Sequence, residues 1–119
     1  DGLGGRNLET ALAAAISLHN WPGVAVASMA TDGEDGPTPA AGAVVSGWTA
    51  PYAAKEGLPP QDYLARNDSY NFFRKLDALT AAPANENDEY TPPCLVLSGS
   101  TGTNVNDLIF IFTYEGAGK

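Results

Sequence analysis

The stretch Gly23-Val24-Ala25-Val26-Ala27-Ser28-Met29-Ala30-Thr31-Asp32-Gly33 decides how the chain is read. Residues 24–30 are short, small and mainly apolar, and turn-forming residues bound them on both sides. Such a run is too short for a typical helix and suits a strand buried inside a sheet. What precedes and follows this strand sets the fold class.

Upstream, Leu8, Ala11, Leu12, Ala15, Ile16 and His19 recur at helical spacing, and the alanine content favours a helix. Pro22-Gly23 ends it. His19 falls on the apolar stripe and is read as packing. A glycine-rich lead, Asp1-Gly2-Leu3-Gly4-Gly5-Arg6-Asn7, opens this helix, with Asn7 read as its cap.

Downstream lies the polar loop 31–38. Thr38-Pro39 reads as an N-cap followed by a first-turn proline, which predicts a short helix of small residues over 39–46. Thr49 is read as the cap of a helix over 51–56, stopped by Gly57. Two more helices are expected over 60–66 and 69–76, the second opened by Asn67-Asp68-Ser69. Residues 80–93 are polar, acidic and punctuated by proline, so a peripheral surface loop is expected there. A second strand spans 94–97, with Cys94 in the core. A second polar loop follows over 98–104. A third strand spans 108–114, and its nearly unbroken apolar run suggests two buried faces.

The last two strands are separated by only ten residues, too few for a helical crossover, so they pair antiparallel if they are neighbours. The strands 24–30 and 94–97 are joined through helices and can pair parallel. The expectation is an α/β fold, a mixed β-sheet with helices packed against it, forming one domain over residues 1–119.

Composition narrows the function classes. The chain has 119 residues, 6 Lys and Arg against 14 Asp and Glu, and a net charge of −8. That acidity disfavours nucleic acid and anionic membrane as partners. One cysteine excludes an internal disulfide, and one histidine with one cysteine excludes a Cys/His zinc cage. No apolar run has the length of a membrane helix. The chain begins at Asp1 without a basic-then-apolar leader, so it is expected to be a fragment, a processed chain or an excised domain. A cytoplasmic setting is expected.

Three polar segments are candidates for chemistry. Loops 31–38 and 98–104 each follow a strand end, where ligands collect in open α/β sheets, and they are expected to come close in space. Loop 98–104 offers backbone amides and the hydroxyls of Ser98, Ser100, Thr101 and Thr103 to an anion. Loop 31–38 offers Asp32 and Asp35, whose carboxylates suit a divalent cation. Gly4-Gly5-Arg6-Asn7, at a helix start, suits a carboxylate or phosphate. The competing reading is that all three are well-made turns and caps.

These segments, in this order, resemble one family. Gly-Gly-Arg-Asn (4–7), Thr-Asp-Gly-Glu-Asp-Gly-Pro-Thr (31–38), Ala-Ala-Gly-Ala (40–43), Asn-Asp-Ser-Tyr with Phe-Phe (67–73) and Thr-Gly-Thr-Asn-Val-Asn-Asp (101–107) look like the MOFRL domain. That domain forms the C-terminal part of glycerate 2-kinases, and the resemblance covers about residues 2–113. The resemblance implies ATP-dependent, Mg²⁺-assisted phosphorylation of D-glycerate to 2-phosphoglycerate. It also implies a cleft shared with an N-terminal Rossmann-like domain, absent here, that brings a lysine implicated in catalysis. Carried over, Gly4, Gly5, Arg6, Asn7, Thr101, Gly102, Thr103 and Asn104 would bind substrate or phosphate. Asp32 and Asp35 would contact a metal or a substrate hydroxyl. The sequence departs from the family pattern where Leu8 replaces a usual Gln, Pro39 an acid and Ser100 a Pro. The runner-up is a free-standing, non-catalytic module that binds a small anion or a partner. A dehydrogenase finds no support, since no Gly-x-Gly-x-x-Gly follows a strand.

Overall fold

Helix α1 (Arg6–Ser17) leads into strand β1 (Val24–Ala30), and the chain folds back as strand β2 (Gly42–Ser46). Three helices follow, α2 (Thr49–Lys55), α3 (Pro60–Ala65) and α4 (Ser69–Ala81), then strands β3 (Leu95–Val96) and β4 (Asp107–Thr113). The computed structural model describes residues 2–81, 92–99, 101–102 and 107–114. The four strands lie in the order β3-β2-β1-β4, with the helices packed against the sheet.

Helix α1 forms because Leu8, Ala11, Leu12 and Ala15 make one apolar stripe, and all four are fully buried. That stripe lies against β1 and β2, where Val26 and Val45 complete the contact. Helix α4 adds Phe72, Phe73 and Leu76 to the same core. The two phenylalanine rings meet edge to face at 5.1 Å, and Tyr63 of α3 approaches Phe72 at 5.7 Å. Each such side chain stabilises the fold by about 1.5–3 kcal/mol relative to exposure.

The end of α4 is tied to the edge strand. Asp77 accepts the N–H of Cys94 at 2.7 Å and of Leu95 at 3.0 Å on its two carboxylate oxygens. Burial pushes the Asp77 carboxyl up, and the two amide hydrogen bonds oppose that shift. The buried Cys94 thiol is pushed up to about 12, first by desolvation and then by the neighbouring Asp77 carboxylate.

The layered α/β architecture is the one expected, but the sheet is not mixed. Every pairing among the described strands is antiparallel. Strand β3 pairs with β2, so it neither runs parallel beside β1 nor neighbours β4. The cause is the segment 39–46, which is not a helix. Thr38 caps a turn instead. Its hydroxyl donates to Asp35 C=O at 2.9 Å and accepts the Ala40 N–H at 3.3 Å. The next residues become β2 because Gly42 lets this strand close on β1. A Cβ there would lie 1.8 Å from the Ser28 carbonyl oxygen. Tertiary pairing has overridden alanine's helical preference.

Other expectations are also corrected. Strand β4 is at the edge of the sheet among the described strands, with both faces largely open. His19 lies past the end of α1 and is exposed. Asn7 lies inside α1, whose N-cap is Gly5. Thr49 lies inside α2, and its hydroxyl accepts the Ser46 N–H at 3.0 Å. Helix α4 continues to Ala81, so Thr80 and Ala81 belong to it; Pro92 and Pro93 are exposed, and 82–91 lie outside the described residues.

Candidate functional site

Antiparallel pairing places Ala30, the last residue of β1, opposite Asp107, the first of β4. Loop 31–38 therefore leaves the sheet where β4 enters it, and α1 begins at the same end. The two loops do meet there. Thr101 donates its N–H to Asp32 C=O at 3.2 Å and its hydroxyl to Thr31 C=O at 2.6 Å. Gly102 is exposed, with a left-handed φ of 75°. Thr103 and Asn104 lie outside the described residues.

Asp35 joins the glycine-rich lead to this cluster. Its N-cap neighbour Gly5 has no side chain to satisfy the first helical amides. Asp35 does so from outside, accepting Asn7 N–H at 2.9 Å on Oδ1 and Leu8 N–H at 2.7 Å on Oδ2. A carboxylate at a helix N-terminus is further favoured by the helix dipole. Gly5 is needed for that approach, because a Cβ there would lie 2.5 Å from Asp35 Cγ. Gly4 is pressed as closely on Ser69 of α4. Both glycines serve contacts within the protein.

Asn7 is buried and fully engaged. Its amide donates to Asp35 Oδ1 at 3.2 Å and to Asp107 Oδ1 at 2.9 Å, and its oxygen accepts the Ser28 hydroxyl at 2.7 Å. One side chain thus cross-links α1, β1, β4 and the acidic loop. Arg6, one residue earlier, turns outward. Its Nε pairs with Asp107 Oδ2, and the side chain is 80% exposed.

Arg6, Thr31, Asp32, Glu34, Asp35 and Asp107, among others, wall a polar cavity of about 420 Å³. Arg6 faces four carboxylates, so the wall is acidic. Asp32 accepts the Glu34 N–H at 3.0 Å, which closes the loop as an Asx turn. Among the described residues, no three His, Cys, Asp or Glu side chains cluster so as to hold a metal. Ser28, Glu34 and Asp107 were not singled out as site residues by sequence reasoning. A serine inside an apolar strand was the signal for Ser28. The other two needed the loop geometry.

A second cavity, of about 600 Å³, opens at the opposite end of the sheet between Trp21, Trp48, Tyr52, Lys55 and Tyr114. Trp48 and Tyr52 stack there at 4.5 Å. It is larger but takes none of the polar motifs. No helix among the described residues is long and apolar enough to cross a membrane.

Fold and site together define an α/β domain with a helix layer on an antiparallel sheet and a polar cleft at one sheet end. The chain belongs to the MOFRL family, whose pattern it matches over residues 1–107. It is 47% identical over 109 residues to the D-glycerate 2-kinase of Thermotoga maritima, covering 92% of this chain and 22% of that protein. It is 42% identical over 115 residues to the glycerate kinase of Homo sapiens, covering 93% and 20%. The crystal structure of a Thermotoga maritima glycerate kinase superposes with a TM-score of 0.80 at 44% identity, over 96% of this chain and 24% of that one. A protein of Pyrococcus horikoshii OT3 superposes at 0.76 with 30% identity, over 94% and 22%. The chain thus spans about a fifth to a quarter of the relatives it matches.

Proposed function

We propose that this chain is the C-terminal domain of a glycerate 2-kinase and forms one wall of the cleft in which ATP phosphorylates the 2-hydroxyl of D-glycerate. The kinase class is supported by the relatives, which share the family and the fold. The local reading rests on one observation: exposed Arg6, loop 31–38 and Asp107 wall one polar cavity, and Thr101 is bonded to the backbone of that loop.

Arg6 pairs through Nε with Asp107, lines the cavity and is 80% exposed, which leaves its other guanidinium donors for a ligand. A planar fork of that kind suits the glycerate carboxylate or a phosphate oxygen. Asp32 contacts a substrate hydroxyl, and Thr101 with Gly102 lines the cleft. Asp35, Asn7, Gly4 and Gly5 act by positioning: they hold α1, and therefore Arg6, at this end of the sheet.

Magnesium accompanies ATP and neutralises its phosphates. The described residues do not fit a magnesium cage, because both Asp35 oxygens are committed to the α1 amides. Phosphoryl transfer needs dense positive charge around the moving group. One arginine against four carboxylates does not provide it. An N-terminal domain with a lysine would, and the setting is cytoplasmic.

The test is a coupled assay with D-glycerate and ATP–Mg²⁺ on the 119-residue chain and on a full-length kinase carrying it. The full-length protein is expected to release ADP and form 2-phosphoglycerate, and the chain alone to do neither. Turnover by the chain alone would sink the split-site account. Tight calorimetric binding of glycerate or phosphate to an inactive full-length protein would favour the non-catalytic module.

A further inference from the structure

Strand β4 carries one side's worth of hydrogen bonds. Tyr114 donates its N–H to Gly23 C=O at 2.9 Å. With the two-residue alternation of an antiparallel ladder, Phe112, Phe110 and Leu108 also direct their backbone groups to β1. Ile109, Ile111 and Thr113 direct theirs to the other edge, where no strand among the described residues pairs.

The side chains tell the same story. Ile111 stands opposite Val26 and Ile109 opposite Ser28, on the helix-covered face of the sheet. Yet Ile109 is 59% exposed and Ile111 70% exposed, because the described helices pack mainly on β1 and β2, and α1 bonds β4 at its first residue, Asp107. On the other face Leu108, Phe110 and Phe112 are also exposed. Natural edge strands are protected by charge, proline, bulges or shortness. Residues 108–113 read Leu-Ile-Phe-Ile-Phe-Thr, with no charge and no proline. An apolar edge of this kind is a template for strand addition.

We propose that β4 is an internal strand of the assembled kinase, and that its open edge pairs with an extended, apolar strand from the rest of the kinase polypeptide. Two observations select that occupant. The relatives carry this domain within chains of which it forms only 19–26%, so most of their polypeptide lies outside it. A second copy is the poorer fit, since each copy carries a net charge of −8 and two such copies repel one another as whole molecules. The inference rests on the family's domain context. It does not need the substrate to be glycerate.

The test is hydrogen exchange on the Thermotoga maritima D-glycerate 2-kinase with its matching segment replaced by residues 1–114 of this chain. Phe110 and Phe112 amides, bonded to β1, are the internal control. Ile109, Ile111 and Thr113 amides are expected to exchange at least about a hundredfold more slowly than free amides, as in a paired strand. Ile111→Lys is expected to return them towards the free rate while Phe110 and Phe112 stay protected. Free-rate exchange at Ile109, Ile111 and Thr113 beside a protected Phe110 would overturn the proposal. So would protection that vanishes on dilution, which would mean pairing with a second copy. Where the graft misfolds, the same measurement on the superposing strand of the unmodified Thermotoga kinase decides in the same way. Glycerate turnover is not part of the readout, so failure here and failure of the kinase reading are separate results.

Discussion

Asp35 Oδ2 accepts the backbone N–H of Leu8 at 2.7 Å, across 27 residues of chain. Helix α1 is capped from another loop, because its own N-cap is a glycine. The acidic loop and the Gly-Gly-Arg-Asn lead are therefore one structural unit. Whatever Arg6 binds, Asp35 fixes where Arg6 stands.

Replacing Asp35 removes the acceptor for two helical amides and for the Asn7 side chain in a site where Asp35 is 3% exposed. Asp35→Ala is expected to cost about 2–4 kcal/mol, lowering Tm by roughly 8–15 °C. Asp35→Asn, which keeps one acceptor oxygen, is expected to lose less. Thermal unfolding by circular dichroism checks the order. An unchanged Tm for Asp35→Ala would remove it as the cap.

Gly5→Ala adds a Cβ where Asp35 Cγ already stands at 2.5 Å. Its φ of −100° is open to any residue, so the effect is steric. The variant is expected to push Asp35 off the helix and lose at least about 1 kcal/mol. Combined with Asp35→Ala, the two losses are expected to fall short of their sum, since they break one contact. Additive losses would show the two act separately.

Arg6→Ala leaves the core untouched, because the side chain is largely exposed. In the full-length kinase its Tm is expected to change by no more than a few degrees, while kcat/KM falls at least about tenfold, as for one lost charge-assisted contact. Arg6→Lys keeps the charge but loses the fork, and is expected to fall between the two. Steady-state kinetics on the three proteins test this. Unchanged kinetics for Arg6→Ala would remove it from the site.

Cys94 titrates at about 12 in the fold, above the ordinary thiol value near 9. A raised thiol pKa means that folding favours the neutral form. That stability is fully present below about pH 9 and is lost as pH rises towards 12. The chain is thus expected to lose Tm steeply across this window, and Cys94→Ala to lose less of it. At pH 8 the thiol is expected to react with a maleimide only as fast as the domain opens. Rapid labelling of the native protein would contradict its burial.

Residues 8–16 and 24–30 could be read directly. The helical repeat and the short apolar run are local patterns, and the structure keeps both. The pairing of loops 31–38 and 98–104 also followed from their place at strand ends. The role of each polar residue did not. Asp35 looked like a metal ligand because a carboxylate in a glycine loop carries no mark of which amides it will meet. Asn7 looked like a cap, yet its partners Ser28, Asp35 and Asp107 come from three other segments.

The sequence by itself determined that helices would cover a sheet, where α1 and β1 lie, and which family the motifs match. Periodicity and motif spacing are properties of neighbouring residues and need no fold to be seen. Only the tertiary structure decided that residues 42–46 form a strand and that, among the described strands, every pairing is antiparallel and β4 lies at an edge. Thr38-Pro39 suits a helix start as well as a turn, and an apolar run such as residues 108–112 reads alike whether covered or bare. Those choices depend on Gly42 meeting the Ser28 carbonyl and on which strands lie beside β1, and those contacts exist only once distant segments have packed.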